Sequence, residues 1–584
     1  MVIGGCVRTL RRAKNAQACY GWGAPRHAGR QPARAGGPLE QLGTWLMRAL
    51  AGYLAGFGQF STARRLVERF LNERSPRGEP WAIHAQLLFR WAMAIDPRRG
   101  DEVHELLATA LSSYRRAAER EPCPLEVHRE LALVLLRLAW LRGPAPDAET
   151  SDLLLECVQE CDLVLRAQPR RADVLHERAL ARASLRSQVP IQESSALLTQ
   201  ALGDLDASLE LRPHAAETVF HRAQMAAELA GLQHHLGQRR QELGLRHRVL
   251  EDLAHLRQMR ADGPEARLLA AATSTALARL GDSPEERARE AIDVASALLT
   301  ENPRNVRASL VRAEARLAAA CRFAASGDER GTLVYRQAAA DYEAAMAAVG
   351  LRGREDVQAT YARARMAWGV ALAQGGDLEQ ARELLTEALE GCEQAVDDDP
   401  HDPERLLARG ETQLALGELA PDGQAPARFA AAREDAQRVL ELVSQGPRAL
   451  ALRARAELAL GQGDQALQDA RAARRLAPED RKVLRAEREA LLAAALGASG
   501  DRRAQLLREA LASCREALEL DAREPRAHYD EARALYLAGR PAAAYQALEQ
   551  ALQLSPGLRI AARQEPTWAD VRQEEGFRRL VGEL

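Results

Sequence analysis

The chain has 584 residues, with 80 Lys and Arg against 82 Asp and Glu, a formal net charge of −2. That balance leaves no large single-sign field to recruit nucleic acid or an anionic membrane surface. The length exceeds what one hydrophobic core supports and aromatic residues make up only 4%, so the fold must bury its surface in many small steps.

Residues 1–39 stand apart from the rest. They carry Arg8, Arg11, Arg12, Lys14, Arg26, Arg30 and Arg34 and no acidic residue. With several Gly and Pro and no apolar periodicity, this stretch reads as a disordered basic segment. It lacks the apolar run that follows the basic start of a signal peptide. From residue 40 onward Ala, Leu, Arg and Glu dominate, all good helix formers, and no stretch alternates long enough for a sheet. No apolar run approaches the roughly 20 residues needed to span a bilayer. Cysteines at 6, 19, 123, 157, 161, 321, 392 and 514 form no dense framework, which fits a reducing, cytoplasmic setting.

Along the chain the same short pattern returns. Leu175–Ala179, Val219–Ala223, Ser309–Ala313, Leu406–Gly410 and Leu450–Ala454 align on a final small residue. Two antiparallel helices approach closely only where one of them presents Ala or Gly. A second helix repeats the device, with Ala466, Ala470 and Ala473 before Pro478, and Ala544, Leu548 and Ala551 before Pro556. Pro122, Pro169, Pro213, Pro303, Pro400, Pro478 and Pro556 each end a unit, since proline cannot continue a helix. Insertions at 186–193, 231–244 and 420–426 make the spacing irregular, and the units before Pro122 follow the pattern poorly.

Pro525–Pro556 shows the whole unit, with small residues Ala532, Ala544 and Ala551, turn residue Gly539 and the closing proline in one register. This register resembles the tetratricopeptide repeat, whose period is about 34 residues. Roughly a dozen such units fit between Leu42 and Pro556. The resemblance implies an all-α fold, a right-handed α-α superhelical solenoid over residues 40–556. Residues 557–584 resemble the closing segment of many bacterial repeat proteins, in which Trp568, Val571, Phe577 and Leu580 would cover the last helix.

The resemblance also implies where a ligand would sit, because in this family the first helices line the concave face. Its ligand positions fall on Asp173, His176 and Leu180, then on Phe220 and Gln224. Further on they fall on Leu310 with Glu314, Leu407 with Glu411, and Tyr529, Arg533 and Tyr536. The last three combine aromatic area with donors, the composition of a binding hot spot. Some relatives hold a partner's terminal carboxylate with lysines and asparagines. Here the ninth positions carry Leu180, Gln224, Glu314, Glu411, Arg455 and Arg533, which do not make that clamp.

Residues that suggest chemistry have simpler readings. Cys157 and Cys161 share a helix face but occupy small-residue columns, and no second pair of metal ligands lies near them. His221, His234, His235, His247 and His255 lack metalloprotease spacing. Asp397, Asp398, Asp399, Asp402 and Glu404 lack the glycine and closing glutamate of a calcium loop, and acids suit the start of the helix after Pro403. His128-Arg129-Glu130-Leu131 is superficially similar to a kinase catalytic loop, yet Glu130 stands where the aspartate belongs. No glycine-rich phosphate loop accompanies it.

The expectation is a protein that is not an enzyme and carries no cofactor or metal. It would be a scaffold binding a protein or peptide, with no nucleic acid or membrane partner. Similar arrays follow serine/threonine kinase domains in bacteria, so a regulatory module partnering a protein kinase is the alternative.

Overall fold

The computed structural model describes residues 38–582, apart from 70, 72–77, 97–98, 121–122, 144–146, 187–188, 327, 350, 421–422 and 444–445. The basic segment expected over 1–39 and the closing residue Pro122 thus fall almost wholly outside the described residues. The chain forms α1 (Pro38–Gly56) and α2 (Phe60–Glu68), then α3 (Glu79–Ala94) and α4 (Gly100–Ala118). Next come α5 (Leu125–Arg142), α6 (Ala148–Ala167), α7 (Ala172–Leu185), α8 (Ile191–Leu211), α9 (Ala216–His235) and α10 (Arg239–Gln258). After these stand α11 (Pro264–Leu280), α12 (Pro284–Glu301), α13 (Val306–Ala325), α14 (Arg330–Ala348), α15 (Leu351–Gly375) and α16 (Leu378–Asp398). The remaining repeat helices are α17 (Pro403–Leu419), α18 (Ala425–Leu442), α19 (Pro447–Ala459), α20 (Gly463–Leu476), α21 (Arg481–Gly497) and α22 (Gly500–Leu520). They end with α23 (Pro525–Leu537) and α24 (Pro541–Leu554). No strand occurs among the described residues.

Local chemistry sets these boundaries. Asp402 accepts hydrogen bonds from the backbone N–H groups of Glu404 and Arg405, and Asp480 from those of Lys482 and Val483, at the starts of α17 and α21. Each satisfies donors that the first turn leaves orphaned. Pro169, Pro213, Pro303, Pro400, Pro478 and Pro556 all stand two residues beyond the end of a second helix. Between most first and second helices the chain turns through a glycine of positive φ. Gly539, at φ 76°, has open space around the position of a Cβ, so its backbone conformation is what requires glycine.

The helices pack as consecutive pairs, from α3 with α4 to α7 with α8 in the first unit and from α11 with α12 to α23 with α24 in the second. The small-residue column lies at the centre of each pair. Ala179, Ala223, Ala313 and Ala532 are fully buried, and a Cβ on Gly410 would stand 3.1 Å from Asp435 Cβ on α18 and 2.8 Å from Leu452 Cδ2 on α19. The arginine just before this column forms a second device. Arg178 grips Asp204, Arg312 grips Asp341, Arg409 grips Asp435 and Arg453 grips Asp469, each through two bonds of 2.5–3.0 Å. These four carboxylates are buried on the second helix, so the fork of the guanidinium matches them in place of water.

By compactness the chain divides into two units, the first up to Leu229 with His255–Ala261, the second Ala230–Ala254 with Asp262–Leu584. In the first unit one large apolar cluster runs from Trp81 to Leu185. The second holds a series of smaller clusters, each shared by four or five neighbouring elements, as expected of a stack without a central core. Within each unit, successive first helices approach one another, as α5 does α7, and α19 does α21. Successive second helices do not approach to a like extent. A row whose first helices converge while its second helices spread is curved, with the first helices inside.

After Pro556 a short helix α25 (Leu558–Gln564), a 3-10 turn at Pro566–Trp568 and α26 (Glu575–Leu580) fold against α23 and α24. Trp568 and Phe577 are fully buried there, Val571 is buried and Leu580 packs at the margin.

Candidate protein-binding face

In the first unit the inner face is built from α5, α7 and α9. Arg171 holds Asp173 at 2.7 Å, and Arg129 reaches Glu126 at 2.6 Å and Glu177 at 3.4 Å. The other Glu177 oxygen is buried without a partner, and burial pushes its carboxyl up to about 8. Beside this cluster His176 Nε2 and His221 Nδ1 lie 2.7 Å apart. Burial, then the neighbouring ring, brings the His221 imidazole down to about 3. Both rings are thus neutral at pH 7, and one donates its N–H to the other. Phe220 lies tilted against His221 at 6.3 Å, while Leu180 and Gln224 are half-buried. Asp173, His176, Leu180, Phe220 and Gln224 therefore share one stretch of face, though Asp173 and His176 are already partnered.

The second unit carries a ladder of alternating charge across α17, α19 and α21. Arg448 bridges Glu404 and Glu411, both at 3.3 Å, and Lys482 reaches Glu411 at 2.5 Å. A second rung joins Arg455 to Glu418 and, at 3.1 Å, to Glu489, which Arg485 also holds at 2.7 Å. Burial pushes the Glu411 carboxyl up, but Lys482 and Arg448 outweigh it and bring it to about 2. Glu489 is likewise held below the usual carboxylate range, Arg485 and Arg455 outweighing its burial. Glu411 and Glu489 are thus ionised at neutral pH, and across the rungs four carboxylates meet four cationic side chains. Glu314 takes part in a similar pair with Arg279 at 3.5 Å, and Leu310 packs half-buried against the Ala313–Ala381 cluster.

Three expected ligand residues need correction. Leu407 is buried in the cluster between α17 and α18, so it offers no free surface. Tyr529 is 0% exposed and Arg533 9%, because the segment after Pro556 closes over them. Arg533 spends its donors on Glu565 at 2.9 Å, Thr567 at 3.4 Å and Asp530 at 3.5 Å. Asp530 also receives the fully buried Arg488 at 3.2 Å. Tyr536 stays half-buried, tilted against Trp568 at 5.1 Å. These residues anchor the C-terminal segment.

The other candidates settle into structural places. Cys157 and Cys161 are fully buried, and Cys157 donates to the Ala132 carbonyl at 3.2 Å. Asp402 caps α17, as an acid at a helix start should. Among the described residues, no three His, Cys, Asp or Glu side chains gather as a metal site. Sequence reasoning missed the ladder itself. Its signal was present in the aligned units, where Glu404 and Arg448 occupy one column and Glu411 and Arg455 another.

Fold and face together define an all-α repeat protein built of stacked helix–turn–helix pairs, the architecture implied by the tetratricopeptide resemblance. No family model matches the chain, and no curated protein matches it. Among solved structures it is similar to TTC0263, a thermophilic TPR protein of Thermus thermophilus, with 24% identity and a TM-score of 0.26 over 30% of this chain and 89% of that one. It is also similar to yeast Tom70, at 14% identity and a TM-score of 0.32 over 86% of this chain and 99% of that one. At such scores the fold class rests on the helix pairing described above.

Proposed function

We propose that the protein is a non-catalytic scaffold that binds a protein or peptide along the inner face of its first helices. The observation that supports this is the set of charged and polar side chains brought inside the curve of each unit, around Asp173 in the first and Lys482 in the second. An extended chain laid along such a row exchanges hydrogen bonds with side chains that are already oriented. The six free cysteines among the described residues, four of them buried, agree with a cytoplasmic setting. Among the described residues no helix is long and apolar enough to cross a membrane.

Affinity capture with the full chain tests the reading, using two inner-face variants. These are Phe220→Ala/Gln224→Ala in the first unit and Lys482→Ala/Arg485→Ala in the second. Glu549→Ala/Gln550→Ala, on an exposed second-helix surface, is the control. A partner kept by the wild type and the control but lost by an inner-face variant supports the scaffold. Equal capture by all four chains defeats it. A kinase catalytic chain as that partner would select the regulatory-module alternative.

A further inference from the structure

Within the second unit the array coils far enough to meet itself. Between α9 and α10, Gly237 packs against Ala477, and a Cβ on it would stand 2.5 Å from the Ala477 Cβ. The Arg240 backbone N–H donates to Glu479 at 2.9 Å, across 239 residues of chain. Its guanidinium reaches Glu479 at 3.5 Å and Glu519 at 3.9 Å. One unit further along, the position of a Cβ on Gly281 lies 3.8 Å from Asp521. Further still, the Ser555 hydroxyl and the Gly557 N–H both donate to the Gln374 carbonyl, at 2.7 and 2.8 Å, across some 181 residues. The turns that follow first helices α9, α11 and α15 thus lie, in order, on the segments that follow second helices α20, α22 and α24.

The chemistry of this seam differs from that inside the repeats. Each helix pair is closed by fully buried Ala and Leu, whereas the seam is made of backbone hydrogen bonds, glycine contacts and ion pairs. Arg240 and Glu519 are 72% and 68% exposed, so salt screens their attraction. One element works against closure. Arg239 is buried at the seam, giving one nitrogen to the Leu280 carbonyl while its Nε and Nη1 have no partner. Asp521 and Glu524 stand near it but Arg481 engages both, at 3.0 and 3.6 Å. A guanidinium desolvated and half satisfied favours the state that returns it to water.

We propose that the seam is a releasable latch. The second unit passes between a closed coil and an open one, its helices intact in both, and opening exposes the inner face from the side. Glu479 and Glu519 hold the latch, Gly237 and Gly557 permit the close approach, and Arg239 keeps the closed state from dominating.

Hydrogen exchange of the full chain tests this through the Arg240 and Gly557 amides, with small-angle scattering for size and circular dichroism for helix content. In Glu479→Gln/Glu519→Gln, exchange at Arg240 should quicken about two- to fivefold, as for loss of an exposed ion pair. Raising salt should do the same to the wild type. Helix content should not change. Gly557→Val, which drives a side chain into the Ala373 and Gln374 carbonyls, should enlarge the radius of gyration. Because Gly557 leads into α25, Gly237→Val repeats the crowding at the far end of the seam, where it also strains the turn at φ 68°, and helix content separates loss of the turn from opening of the seam. The latch is refuted if salt and the charge variant leave both amides unchanged. It is equally refuted if those amides exchange only together with the helix amides of α20 to α24.

Discussion

Removal of the Asp435 carboxylate tests the arginine–aspartate device that ties first helices to second ones. In Asp435→Ala, Arg409 loses bonds of 3.0 and 2.5 Å, and its side chain is only 19% exposed. Breaking a fully buried pair costs about 3–5 kcal/mol. Arg409 can recover part of its hydration, so the expected cost is about 2–3 kcal/mol. In a stack the loss falls on α17 and α18, and their amides should lose protection before those of α23 and α24. Urea unfolding followed by circular dichroism gives the total, and hydrogen exchange gives the place. The double variant Arg409→Met/Asp435→Leu removes both charges and should recover most of the loss. A cost for Asp435→Ala below about 0.5 kcal/mol, the range of a surface pair, would refute the reasoning. So would a double variant as unstable as the two single changes summed.

Glu411, with a carboxyl at about 2 against an ordinary 4.5, gives stability that is full above about pH 4.5 and lost as pH falls through its folded value. Glu411→Gln should cost about 2 kcal/mol at pH 7 and flatten the urea midpoint between pH 5 and 2. In the first unit His84 and His221 are brought down to about 4 and about 3, burial being the main cause in both. Neither ring weighs on stability above pH 6.5, but as pH falls from there toward those values the unfolded chain gains protons the folded one refuses, and stability drops by about 2–3 kcal/mol for each. The midpoints of His84→Gln and His221→Gln, plotted against pH, should therefore lack that slope; a slope equal to the wild type's would refute the assignment. Trp568→Ala empties a fully buried site between Tyr536 and Phe577 and should cost about 3–5 kcal/mol. Exchange should then rise first in α23 and α24, and uniform loss across the unit would contradict the serial picture.

The sequence made the helix pairs legible because their causes are local. An alanine column, a turn glycine and, in six units, a proline two residues past the second helix all lie within one unit. What it hid depends on distance. Tyr529 and Arg533 have the composition of a ligand site, but Glu565, Thr567 and Trp568 reach them from some thirty residues downstream. Leu407 falls on a ligand position of the family, yet here it turns into the α17–α18 core. The arginine–aspartate pairs escaped notice because insertions vary their separation, from 16 residues at Arg453 to 29 at Arg312. The seam joins residues that no repeat-length window contains.

Lys482 is the one lysine among the described residues; the chain's other is Lys14. Arginine does all the remaining cationic work, and guanidinium groups do not react with amine-directed reagents. An acylating probe therefore meets a single described side-chain amine, and it stands on the inner face with Glu411 2.5 Å away. The molecule thus carries a native reporter at the middle of its ladder. A ligand lying there would shield that amine from labelling, and one that captured Glu411 would release it, so the mass shift of the peptide bearing Lys482 reads occupancy without any engineered tag.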